Sequence, residues 1–116
     1  MPAAEKTEHF KRLLETRIVE TERTIANSEQ EIRAISARQA DSADQAAAEY
    51  ERQALAAHKA AVARQNLQNL RQALERIVQG TFGECAECGN EIESKRLEAI
   101  LWARYCLKCQ ELREHR

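Results

Sequence analysis

Proline is almost missing from this chain of 116 residues, with Pro2 the one instance. Glycine is nearly as scarce: Gly80, Gly83 and Gly89 are the full set, so residues 3–79 contain neither of the strong helix breakers. A stretch of that length rich in Ala, Glu, Gln, Arg and Leu has the composition of long helices. Aromatic residues make up only 4% of the chain, which excludes a large globular core built on rings. No charge of one sign dominates. Residues 1–79 carry 12 basic and 12 acidic side chains and residues 80–116 carry 6 and 7, so neither part is a polyelectrolyte suited to nucleic-acid phosphates. Direct sequence-specific DNA binding is therefore not expected. No run approaches the ~18 apolar residues of a membrane span, and Met1-Pro2-Ala3-Ala4-Glu5-Lys6 lacks the apolar segment of a signal peptide. The expectation is a cytoplasmic protein with no membrane partner, in a compartment where thiols stay reduced.

Within the breaker-free stretch, Leu14, Ile18, Ile25, Ile32 and Ile35 fit one heptad seam, with Thr21 and Ser28 as its weak positions. Leu67, Leu70, Leu74 and Ile77 repeat the pattern further on. Two amphipathic helices without a globular core would bury these stripes on each other. Asp41-Ser42-Ala43-Asp44 is the one cluster of turn and cap formers between them, so the hairpin tip is expected at about residues 39–45. Each helix then has roughly 35 residues and a length of about 50 Å. Between positions 45 and 64 the apolar residues are mostly alanine, which permits close helix approach but buries little area per residue.

All four cysteines fall in two C-x-x-C pairs, Cys85/Cys88 and Cys106/Cys109, with seventeen residues between the pairs. Each pair offers two sulfurs, and the intervening loop is long enough to bring all four onto one tetrahedral ion. One structural Zn2+ is the expected cofactor. Two disulfides or a redox pair fit less well, because no βαβ pattern surrounds the cysteines and nothing at the N-terminus suggests export. Gly89, directly after the first pair, is expected to let backbone N–H groups approach the sulfurs without a Cβ clash. Phe82, Ile92, Leu97, Ile100, Leu101, Trp102, Leu107 and Leu112 form a candidate core too small to fold alone, so the metal supplies the missing stability. Cys106–Arg116 reads as a terminal helix that packs back on the base of the arm. The fold class is all-α dominated: an antiparallel coiled-coil hairpin over residues 1–79, then a four-cysteine zinc finger with a terminal helix over residues 80–116.

Asp41 and Asp44 are the only aspartates, against seventeen glutamates. The plain account is turn chemistry, with Asp44 capping the second helix and Ser42 and Gln45 at capping-box spacing. The functional account is that a long arm presents two carboxylates to a partner's cavity, and the two are compatible. His9, His58 and His115 are scattered and read as solvated helix residues. No Ser-His-Asp set, phosphate loop or open metal position is present, so no enzyme activity is expected.

Asp41-Ser42-Ala43-Asp44-Gln45-Ala46 resembles the D-x-x-D-x-A tip of the DksA/TraR family of bacterial RNA polymerase-binding factors. The second half resembles it more closely, through Gly80-Thr81-Phe82-Gly83-Glu84-Cys85-Ala86-Glu87-Cys88-Gly89, Ile92, Arg96-Leu97-Glu98-Ala99 and Cys106-x-x-Cys109. Relative to the longest members the chain begins near the first arm helix. The resemblance implies a monomer that inserts its coiled coil into the secondary channel of RNA polymerase and shifts open-complex stability, for example at ribosomal RNA promoters, by differential affinity for polymerase states. Asp44 would be the chief effector and Asp41 secondary, with Gln45 and Ala46 completing the tip; Gln45 stands where well-known members often have Arg. Some members also help bind the stringent-response nucleotide ppGpp with basic side chains. The corresponding positions here are Asn66, Asn69, Ile100-Leu101 and Gln110, none of them basic, which implies weak or absent ppGpp dependence. Arg64, Arg104 and Lys108 are the cations available to substitute. A zinc-finger nucleic-acid binder and a coiled-coil adaptor with an inert tip are the competing classes.

Overall fold

The computed structural model describes residues 3–115, and its elements are α1 (Ala3–Ser36), α2 (Ala43–Gln79), α3 (Ser94–Ala99) and α4 (Leu107–Glu114). The one β-type pairing among the described residues is an isolated antiparallel bridge between Glu84 and Glu91. The chain divides into two compact units. One joins α1 up to Ile18 with everything from Asn69 onward, and the other runs from Val19 to Gln68.

The Val19–Gln68 unit is a helical hairpin. Gln53 Nε2 donates to Ser36 Oγ at 2.7 Å and Arg64 Nη2 donates to Glu29 Oε1 at 3.0 Å, so lower positions on α1 meet higher positions on α2, the antiparallel order. The α1 seam follows its heptads: Thr21, Ile25 and Ile32 are half-buried, and Ser28 and Ile35 are buried. On α2 the inward face is Ala56, Ala60 and Ala63, while Ala46, Ala47, Ala48, Ala54, Ala57 and Ala61 are exposed. Alanine thus serves two roles here: three residues let the helices approach, and the rest hold helix propensity on the solvent side.

In the other unit, Phe10 and Leu14 of α1 and Leu70 and Ala73 of α2 share one core with Cys85, Ile92, Leu97, Leu101, Ala103 and Cys109. Phe10 also meets Phe82, ring centroids 5.5 Å apart at 48°. Each fully buried Phe or Leu contributes about 1.5–3 kcal/mol, so the helix ends supply a large share of the burial that holds the finger. Polar ties reinforce it: Lys6 Nζ to Glu91 Oε1 at 2.7 Å, Arg76 Nη2 to the Trp102 carbonyl at 3.3 Å, and Arg96 Nε to the Tyr105 carbonyl at 3.0 Å. The Lys6 ammonium holds the Glu91 carboxyl below its ordinary value, first by hydrogen bonding and then by charge.

The structure corrects the candidate core. Ile92, Leu97 and Leu101 are buried as expected, but Ile100 is 37% exposed, Leu107 48% and Leu112 55%. Phe10, Leu14, Leu70 and Ala73 occupy the interior instead, because a segment of this size has too little apolar area to enclose itself. The short α3 was not anticipated. Helix α4 contributes Cys109 to the core shared with Phe10, Leu14 and Leu70, while Arg113 Nη1 pairs with Glu87 at 3.6 Å and its guanidinium lies 4.4 Å from the Tyr105 ring centroid.

Helix α2 ends as the sequence suggests. Gly80 has φ +79, its N–H donates to the Ile77 carbonyl at 3.2 Å and the Thr81 N–H donates to the Arg76 carbonyl at 2.9 Å, which together form a Schellman cap. A Cβ on Gly80 would meet nothing within 4 Å, so Gly80→Ala costs only the left-handed backbone conformation, about 1–2 kcal/mol. The expected result is a lowered thermal midpoint with unchanged helical content by circular dichroism.

Candidate metal centre and helical tip

The first cysteine pair sits in a tight knuckle. The Cys85 N–H donates to the Asn90 carbonyl at 2.8 Å, the Gly89 N–H to the Cys85 carbonyl at 2.9 Å and the Ile92 N–H to the Gly83 carbonyl at 2.7 Å. Gly89 has φ +77 and an added Cβ would meet nothing within 4 Å. The expected clash is therefore not the reason for glycine; the backbone conformation is. The second pair opens α4, with Cys106 at its N-cap and Cys109 in its first turn.

These two turns bring the four Sγ atoms of Cys85, Cys88, Cys106 and Cys109 within 4.8 Å of one another, and Cys88 and Cys106 lie 3.8 Å apart. Tetrahedral Zn–S bonds of about 2.3 Å place sulfurs roughly 3.8 Å apart, so the set fits one zinc ion. The amide of Cys88, assisted by those of Cys106 and Glu87, draws the Cys85 thiol down to about 6 against the opposing effect of burial. Cys109 goes the other way, pushed up to about 12 by the neighbouring Cys106 sulfur, then by burial and the other two sulfurs. Four thiolates this close repel one another strongly, and a divalent cation removes that conflict. With four protein ligands no position is left open, which makes the centre structural.

At the other candidate site, α1 ends at Ser36 and α2 starts at Ala43. Ser42 Oγ accepts from the Gln45 N–H at 3.1 Å, and the Ser42 carbonyl accepts from the Ala46 N–H at 3.0 Å. Ser42, not Asp44, is thus the N-cap. Asp44 lies in the first turn of the helix, where a negative charge suits the dipole without being tied down. Gln45 closes the capping box one residue early, its Oε1 accepting from the Asp41 N–H at 3.0 Å. Its Nε2 donates to Glu49 Oε1 at 3.3 Å. Asp41, Asp44 and Ala46 are exposed, and Gln45 is half-buried. Ion pairs and hydrogen bonds in the described tip involve neither aspartate carboxylate.

Of the positions that the resemblance sets against nucleotide-binding cations, Asn66 and Asn69 are half-buried on α2. Leu101 is buried in the core, and Gln110 donates to Glu114 at 3.1 Å. Ile100 and Gln110 line an open groove of about 520 Å³ together with Trp102, Arg104 and Tyr105. Arg104 turns toward the Tyr105 ring, 5.9 Å from its centroid. Two residues were not singled out from the sequence: Phe10, one helical turn ahead of Leu14, and Glu49, one turn beyond Gln45. Steps of three and four taken back from Leu67 through Ala63, Ala60, Ala56 and Gln53 lead to Glu49.

Four thiols in two C-x-x-C turns, packed with the adjoining ends of α1 and α2, define a C4 zinc-finger protein. Residues 80–115 match the model of the prokaryotic dksA/traR C4-type zinc finger. The solved structure of the transcription factor DksA2 from Pseudomonas aeruginosa is similar at a TM-score of 0.88 and 26% identity, over 97% of this chain and 86% of that one. An uncharacterized protein of Aquifex aeolicus is 53% identical over 45 residues, which span 39% of this chain and 31% of that protein's length. Residues 80–115 are thus a dksA/traR C4-type zinc finger, and the chain as a whole is similar in fold to DksA2. Among the described residues no helix is long and apolar enough to cross a membrane.

Proposed function

We propose that this chain is a bacterial transcription regulator that binds RNA polymerase, enters its secondary channel with the α1–α2 hairpin, and shifts open-complex stability at promoters such as those of ribosomal RNA. The observation that carries this reading is the pair of tip aspartates. Ser42 takes the capping role that would otherwise explain Asp44, and both carboxylates are left exposed at the end of a hairpin whose α1 and α2 have 34 and 37 residues. The similarity to DksA2, a transcription factor, supports the same reading. No covalent step by the factor is required: a ligand that prefers one polymerase state shifts the equilibrium by its difference in affinity. Asp44 is the chief effector, Asp41 is secondary, and Gln45 and Ala46 shape the turn. The test is in vitro transcription from a ribosomal RNA promoter with the wild-type chain and Asp44→Asn.

Little dependence on ppGpp is part of the proposal. A polyphosphorylated nucleotide gains about 1.5–3 kcal/mol from each charge-assisted hydrogen bond; Leu101 offers no side-chain donor, and Gln110 offers only a neutral amide that already donates to Glu114. Adding ppGpp to the transcription reaction should change the factor's effect less than about twofold beyond the nucleotide's own effect on polymerase, since each missing bond removes roughly a tenfold gain. Strong synergy would overturn this part of the proposal and point to Arg64, Arg104 or Lys108 in place of the missing cations.

A further inference from the structure

Glu49 is the one acidic side chain in the buried inner face of α2. It is 7% exposed, in line with Ala56, Ala60 and Ala63, where an aliphatic residue would bury more apolar area and need no partner. Its carboxylate accepts from Gln45 Nε2, one turn earlier on the same face. Gln45 in turn uses its remaining side-chain atom on the backbone of the tip, Oε1 accepting from the Asp41 N–H. The two contacts fix the amide in one sense. A carboxylate can only accept and a backbone N–H can only donate, so Nε2 must face Glu49 and Oε1 must face Asp41. Reversing the amide would put donor against donor and acceptor against acceptor.

We propose that Glu49 is a positioning residue for the tip: it orients the Gln45 amide so that Gln45 holds the Asp41 backbone, and through it the loop that presents Asp41 and Asp44. The assignment rests on the polymerase reading of the tip given above, but its structural half is testable without polymerase. Its distinguishing consequence is that stability and function separate. An aliphatic residue at position 49 would suit the seam and leave Gln45 without its orienting acceptor.

The experiment compares wild type, Glu49→Leu, Glu49→Gln and Asp44→Asn by NMR amide exchange, thermal unfolding and transcription from a ribosomal RNA promoter. In Glu49→Leu the Asp41 amide should exchange about fivefold faster, the effect of losing one typical hydrogen bond, while the thermal midpoint stays at or above that of wild type. Regulation should fall several-fold. Glu49→Gln keeps an acceptor oxygen and should restore both the slow Asp41 exchange and regulation. Unchanged Asp41 exchange in Glu49→Leu overturns the proposal. So does a lowered midpoint with faster exchange along the whole seam, which would make Glu49 merely structural. If Asp44→Asn abolishes regulation while Glu49→Leu, despite faster Asp41 exchange, regulates normally, the positioning role is overturned and the tip reading stands. If Asp44→Asn regulates normally, the tip reading fails, and exchange at Asp41 alone decides whether Glu49 holds the loop.

Discussion

Asp44→Asn should leave the protein folded and abolish most of its effect on a ribosomal RNA promoter. The substitution removes a charge from the first turn of α2 without touching the Ser42 cap, so the stability cost is confined to a helix-dipole contribution of about 0.3–1 kcal/mol. The fold and the affinity for polymerase should survive, measured by thermal unfolding and by competition for polymerase binding. On the proposed reading the regulatory effect is different in kind, because it would depend on a carboxylate interacting differently with two polymerase states. Coupling energies of this type run at about 1–3 kcal/mol, so the change in open-complex lifetime should shrink by roughly tenfold. Asp41→Asn should have a smaller effect in the same direction. A variant that regulates normally at position 44 would leave the coiled-coil adaptor as the better description.

Loss of the metal should cost activity by the opposite route, through the fold. Cys109→Ser, or treatment with a strong chelator, removes a stabilisation on the order of 10 kcal/mol from a module that buries little of its own surface. Because Cys85 and Cys109 belong to the same core as Phe10, Leu14 and Leu70, the loss should spread to the adjoining helix ends. The expected record is a lowered thermal midpoint, a red shift of Trp102 emission as its half-buried ring is released, and faster exchange at Leu97 and Leu101. Acid should act in the same direction as the chelator. Without the ion the Cys109 thiol holds its proton up to about 12, so zinc binding must displace it, and lowering the pH strengthens the proton in that competition. Calorimetry in buffers of different ionisation enthalpy should register proton release on zinc binding. Zinc affinity that does not change between neutral and mildly acid pH would contradict the four-thiolate assignment.

Much of this architecture is legible in the sequence because the patterns involved are local. Scarcity of glycine and proline before Gly80 dictates long helices, the seam from Leu14 to Ile35 dictates which face is buried, and the cysteine spacing dictates one tetrahedral centre. Gly80 also reads correctly, since a helix stop is specified by its own few residues. The tip was harder. Asp41, Ser42, Asp44 and Gln45 all have capping chemistry, and residue preference alone does not say which oxygen meets which N–H.

What composition and spacing determined by themselves is the two long helices and the terminal one, the turn between the long pair and the sulfur ligands. Local geometry, not residue type, decided that Ser42 and not Asp44 caps α2 and that Gln45 is held between Asp41 and Glu49, while tertiary structure alone decided that Phe10, Leu14, Leu70 and Ala73 complete the core of the finger in place of Ile100, Leu107 and Leu112. The physical reason is that periodicity fixes a residue's face on its own helix, whereas burial depends on which remote surface covers that face.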